Sequence, residues 1–145
     1  MKRIGLFLLA VVMVAGLAGC KTQSVALKGT SSTPKDDAYN CALSQLATMD
    51  YEISGDRGIG VVRGFKNITI TQKDSMRGSQ KNSVDIRIQV TVVDIQAGAT
   101  SMVRGSGKGY YSGGSSEKLE KIVHDDLTTI LSNCRVENIT TIAAP

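Results

Sequence analysis

The chain has 145 residues, 17 Lys and Arg against 13 Asp and Glu, a formal charge of +4, 4% aromatic residues and no tryptophan. Its basic residues are scattered and interleaved with acids, which excludes the clustered footprint of a nucleic-acid binder. So few aromatics leave little material for a base-stacking platform or a sugar-binding cleft, and the length suits one domain rather than two.

The chain opens with Lys2 and Arg3, then an apolar run from Ile4 to Val14 broken only by Gly5, then Leu17-Ala18-Gly19-Cys20. Gly5 to Gly19 falls short of the roughly 20 apolar residues of a spanning helix. The layout is that of an export signal with a cysteine just beyond its small-residue cleavage site. It resembles the lipobox of bacterial lipoproteins. That resemblance implies loss of residues 1–19 as a signal peptide and acylation of the Cys20 sulfur. Several acyl chains, each contributing about 0.8 kcal/mol per buried CH₂, hold stably where one chain binds only reversibly. Lys21 follows the cysteine, and the sorting rule of enterobacterial lipoproteins then implies the outer membrane, facing the periplasm. Lys2 and Arg3 leave with the signal, so the domain is less basic than the whole chain.

Residues 20–33 read as the lipidated cysteine and a flexible tether, because Lys21 to Ser32 is polar and lacks sustained periodicity. Residues 34–145 read as a single domain. Thr33-Pro34-Lys35-Asp36 predicts a helix start, with Thr33 as N-cap and Pro34 in the first turn. Ala38, Tyr39, Ala42, Leu46 and Met49 recur at helical spacing and give that helix one apolar face, ending near Met49-Asp50.

Tyr51-Glu52-Ile53 reads as a short extended piece before a turn at Ser54 to Gly58. From Ile59 to Gln72, Ile59, Val61 and Phe65 share one parity and Ile68 and Ile70 the other, which predicts a bulge near Lys66-Asn67. Ser83 to Ile95 is the clearest strand: Val84, Ile86, Ile88, Val90 and Val92 alternate with Asp85, Arg87, Gln89 and Thr91. Ala97-Gly98-Ala99 turns the chain and Thr100 to Tyr111 runs back. On that strand Gly105, Gly107 and Gly109 share a face with Val103, which lets a large neighbour approach closely. The spacing of these glycines around Lys108 fails the P-loop pattern.

Gly113-Gly114-Ser115 breaks the strand, and Ser115 or Ser116 can cap a second helix with Glu117 in its first turn. Its apolar stripe is Leu119, Ile122, Val123, Leu127, Ile130 and Leu131. Val136 to Ile142 either adds a short edge strand or trails off. The economical architecture is α+β: a two-layer sandwich, an antiparallel sheet of three to four strands with two helices on one face.

With Cys20 assigned to lipid, Cys41 and Cys134 remain as an even pair in an exported, oxidising setting, which predicts a disulfide. A loop of this length corresponds to about 4–5 kcal/mol in the chain-entropy account. Neither cysteine has a His or acid cluster beside it, so no metal or cofactor is expected. No catalytic constellation is expected either. His124 adjoins Asp125 and Asp126, but neighbours on a helix diverge. Asp126 falls by angle within the apolar stripe and, if buried, needs a partner, for which Arg104 or Lys108 is a candidate.

Met49-Asp50-Tyr51-Glu52-Ile53, Asp56 and Gly60 before a β-branched strand resemble a pattern of small envelope lipoproteins. Their domains pack helices on an antiparallel sheet, similar to BamC, an accessory lipoprotein of the β-barrel assembly machine. The resemblance implies a non-enzymatic binding or accessory role in the cell envelope, with an envelope protein as partner. For such a role a sheet edge or the Tyr110/Tyr111 region is the expected contact surface. A small envelope hydrolase or ligand-binding lipoprotein is the alternative, and it requires a pocket with convergent polar groups.

Overall fold

A strand with every second residue apolar has one face to bury, and two helices cover that face of the sheet. The computed structural model describes residues 21–74, 76, 78–96, 100–111 and 116–144. The signal segment with Cys20, the Ala97-Gly98-Ala99 turn and the Gly113-Gly114-Ser115 break lie outside them. In chain order the elements are β1 (Lys21–Ser31), α1 (Lys35–Thr48), β2 (Glu52–Asp56), β3 (Val61–Asp74), β4 (Gly78–Gln96), β5 (Thr100–Tyr111), α2 (Ser116–Asn133) and β6 (Val136–Thr141). The strands form one 6-stranded sheet in the order β2-β3-β4-β5-β1-β6, with every neighbouring pair antiparallel.

Six strands replace the expected three to four. The largest correction is at Lys21–Ser31, expected as a tether and found as β1, inserted between β5 and β6. Val25 and Leu27 are 7% and 2% exposed and give β1 its buried face. Thr22, Ser24 and Lys28 occupy the opposite positions of the pleat, and a strand with one wet face tolerates them. Strand β1 pairs with β5 along its whole length and with β6 from Leu27 to Ser31, which the polar sequence does not announce. The C-terminal stretch left open above pairs with β1 as the edge strand β6.

The expected bulge at Lys66-Asn67 is also absent. The β3–β4 ladder runs without a register shift from Val61↔Thr91 to Asp74↔Gly78. Val62, Gly64, Lys66, Ile68 and Ile70 share the helix-side parity, so Phe65 points to the open face. Gly64 explains the misreading. A Cβ there would lie 2.9 Å from Leu46 Cδ2 and 3.0 Å from Tyr51 Cδ1, so a glycine stands where an apolar side chain would have marked the inner face.

Helix α1 starts one residue later than expected. Pro34 is the N-cap, without a side-chain cap, while the Thr33 hydroxyl lies 2.9 Å from Ser31 Oγ instead of capping the helix. The helix ends where expected, with Asp50 in the left-handed region at φ 60° and the Tyr51 N–H returning 3.0 Å to the Leu46 carbonyl. Helix α2 lies over β5 and β1. Leu119, Val123, Leu127, Ile130 and Leu131 are at most 1% exposed and meet the inner faces of Val25, Leu27, Ile86, Ile88, Val90 and Val103 in one core.

Candidate functional site

The glycines of β5 are explained by α2. A Cβ on Gly105 would lie 2.8 Å from Leu127 Cδ2, and Gly107 and Gly109 face Val123 and Leu119 as closely. Helix α2 therefore sits almost on the backbone of β5.

Cys41 in α1 and Cys134 just past α2 form a disulfide with Cα atoms 5.6 Å apart. It ties the two helices together across 93 residues of sequence and takes both thiols out of chemistry. Cys20 lies outside the described residues, as does the Tyr111 side chain. Tyr110 is described and lies on the open face. His124 is a surface residue, its Nδ1 3.8 Å from Asp125 Oδ1. Asp125 is held instead by Lys121 Nζ at 2.6 Å, and that hydrogen bond keeps its carboxyl below the usual range.

Asp126 does need a partner, but neither Arg104 nor Lys108 supplies it. Both sit on the opposite face of the sheet from α2. The Tyr51 hydroxyl donates to Asp126 Oδ2 at 2.6 Å. Burial, then this hydrogen bond and the carboxylate charge, push the Tyr51 hydroxyl well above its ordinary value. Lys66 Nζ stands 5.2 Å from the centre of the Tyr51 ring and donates to the Met49 carbonyl at 2.7 Å. This cluster welds α1, β3 and α2. It opens into none of the hollow described next.

The open face of the sheet carries a shallow hollow of about 630 Å³. Two cross-strand rows build it. One runs Ser54, Arg63, Gln89 and Ser106; the next runs Glu52, Phe65, Arg87 and Lys108, and Tyr110 closes the end. Strand periodicity places these side chains together because residues two apart share a face and paired residues sit side by side. The Arg87 guanidinium carbon lies 6.0 Å from the Phe65 ring centre and 5.1 Å from the Tyr110 ring centre. Arg63 Nε donates to Gln89 Oε1 at 3.2 Å. Lys108 is directly opposite Arg87.

Like charges directly opposite on a sheet repel. Among the described residues no carboxylate lies within ion-pair distance of Arg63, Arg87 or Lys108, although Glu52 lines the same hollow. The arrangement offers an anion two or three cations, the central guanidinium flanked by two aromatic rings. Sequence reasoning placed Arg87, Gln89, Lys108 and Tyr110 on the polar faces of their strands but did not bring those faces together. The assumed bulge turned Phe65 the wrong way, and only a correct register recovers the group.

Among the described residues no group of three or more His, Cys, Asp or Glu side chains is placed to hold a metal. Among the same residues no helix is long and apolar enough to cross a membrane. No family model matches this chain, and no curated protein matches it. Solved structures similar to it include a TBP-like protein from Parabacteroides distasonis, at 10% identity and a TM-score of 0.46, covering 79% of this chain and 91% of that one. A conserved protein from Geobacillus kaustophilus has 6% identity and a TM-score of 0.45, with coverage of 78% and 93%. Norcoclaurine synthase from Thalictrum flavum has 14% identity and a TM-score of 0.41, with coverage of 81% and 94%. These likenesses are too distant to transfer any residue role, so the site stands on its own geometry.

Proposed function

We propose that this chain is a lipid-anchored protein of the bacterial envelope with a non-enzymatic binding role, and that the open face of its sheet is the binding surface. The Leu17-Ala18-Gly19-Cys20 segment supports the anchor, and Lys21 after it supports the outer membrane as its location. The observation that carries the binding role is Arg87, which lies between Phe65 and Tyr110 and is opposed by Lys108, with no carboxylate partner among the described residues. The ligand this geometry fits bears a phosphate or carboxylate on a flat or apolar body. The anion takes the charge-assisted hydrogen bonds of Arg87 and Lys108, and the body lies against the aromatic rings.

The test is a titration of the full chain in detergent micelles with phenyl phosphate, inorganic phosphate and phenol, read by amide chemical shifts. Phenyl phosphate is expected to shift Phe65, Arg87, Lys108 and Tyr110 at lower concentration than either fragment. Arg87→Gln is expected to move those shifts to about ten- to hundredfold higher concentration. Shifts confined to another surface, or unchanged in Arg87→Gln, contradict the reading. The anchor is tested separately: Cys20→Ser is expected to move the protein from the membrane to the soluble fraction.

A further inference from the structure

We infer that the outer half of the β3–β4 hairpin is a membrane-facing arm that lies against the headgroups of the bilayer holding Cys20. This rests on the lipid-anchor reading and adds to it a posture. Strand β1 begins at Lys21, already paired with Tyr111. Successive Cα atoms are about 3.8 Å apart, so an acylated Cys20 lies at this end of the sheet with no slack behind it. The expected tether would have left the domain free to turn; β1 removes that freedom.

Beyond this end, among the described residues, only β3 and β4 continue. Pairing of β4 with β5 stops at Asp85↔Tyr110, and pairing of β3 with β2 stops at Phe65↔Glu52. The β3–β4 ladder runs on from Ile68↔Val84 to Asp74↔Gly78. At about 3.3 Å per residue the arm reaches about 20 Å in the direction from which the lipid emerges. Its chemistry suits an interface. Met76 near the tip is 95% exposed, a flexible apolar side chain able to enter the acyl boundary. Lys73 and Lys81 are exposed on the arm and outnumber Asp74, the one acid between Ile68 and Ser83. Each lysine near an anionic surface strengthens attachment. The opposite end of the sheet exposes Val93, Ile95 and Met102, but it lies about 30 Å along β1 from Lys21. An anchor at Cys20 directs that end away from the bilayer.

The absence of tryptophan makes the test direct. Met76→Trp and Met102→Trp are prepared as acylated full chains, with the acyl mass on Cys20 verified, and placed in vesicles of phosphatidylethanolamine and phosphatidylglycerol with brominated acyl chains. The inference expects quenched, blue-shifted emission from Met76→Trp and unquenched emission from Met102→Trp. Two unquenched probes overturn the arm while leaving the anchor intact. Two quenched probes mean that the sheet lies flat, which also overturns it. A Cys20 without acyl mass overturns the anchor reading and the arm with it.

Discussion

The Tyr51 hydroxyl donates a 2.6 Å hydrogen bond to Asp126 across 75 residues of sequence. It joins Tyr51, two residues beyond the C-cap Met49 of α1, to the middle of α2. Burial comes first among the causes that raise the Tyr51 hydroxyl above its ordinary value of 10.0, and the bond to Asp126 comes next. A group whose folded pKa is raised stabilises the fold fully below its unfolded pKa and loses that contribution as pH climbs toward the folded value. The stability due to Tyr51 is therefore constant through neutral pH and falls above about pH 10. Tyr51→Phe removes the donor and leaves a part-buried carboxylate unsatisfied, at a cost of about 1–3 kcal/mol. Urea midpoints measured at about pH 7 and pH 11 should show a smaller alkaline loss in Tyr51→Phe than in the natural chain. An identical loss in both would remove Tyr51 as its source.

Gly107 is a packing residue, and its value is the absence of a side chain. A Cβ there collides with Val123 Cγ1, which belongs to a helix already fixed by the core and the disulfide. Overpacking of this kind costs about 1–3 kcal/mol. Gly107→Ala should lower the unfolding free energy measured in urea by that amount, whereas Ser106→Ala, one residue away on the open face, should change stability by less than about 0.5 kcal/mol. Equal effects at both positions would mean that α2 yields to the added methyl.

Much of this fold was legible where alternation was strict. The Val84-to-Val92 pattern assigns the faces of β4 correctly, and the α2 stripe names its buried residues, with Ile122 only partly buried at its edge. Legibility fails where backbone pairing decides the structure and side chains are small or polar. Strand β1 is held by hydrogen bonds on both edges, and its Ser and Thr residues say nothing about that. In β3, Gly64 and Lys66 occupy inner positions and Phe65 an outer one, so the apolar pattern inverts locally while the register stays continuous. The hollow is composite: Arg63, Arg87 and Lys108 come from separate strands, and no window along the chain contains them together.

The disulfide links α1 to the end of α2, the same pair of helices that Tyr51 and Asp126 join. Replacing Cys41 and Cys134 together by Ser should cost about 2–5 kcal/mol, the usual range for a native bridge in a small domain. Tyr51→Phe in that background should cost more or less than the sum of the separate changes, because both links restrain one contact. Simple additivity in urea denaturation would show that α1 and α2 are held independently at their two ends.

Arg87 separates charge from shape in the proposed site. Arg87→Lys keeps the positive charge but loses the planar fork that lies near Phe65 and Tyr110. An exposed cation–π contact contributes about 0.5–1 kcal/mol, so Arg87→Lys should weaken phenyl phosphate binding about two- to fivefold. Arg87→Gln removes a charge-assisted hydrogen bond worth about 1.5–3 kcal/mol, a loss of about ten- to hundredfold. The attraction is that of exposed charges, screened over about 10 Å at 0.1 M salt, so affinity should fall as salt rises and fall less steeply in Arg87→Gln. If Arg87→Lys matched Arg87→Gln, the flat stacked guanidinium would be the recognising feature rather than the charge. If salt left the affinity of the natural chain unchanged, the rings would hold the ligand without the cations, and the anionic assignment would fail.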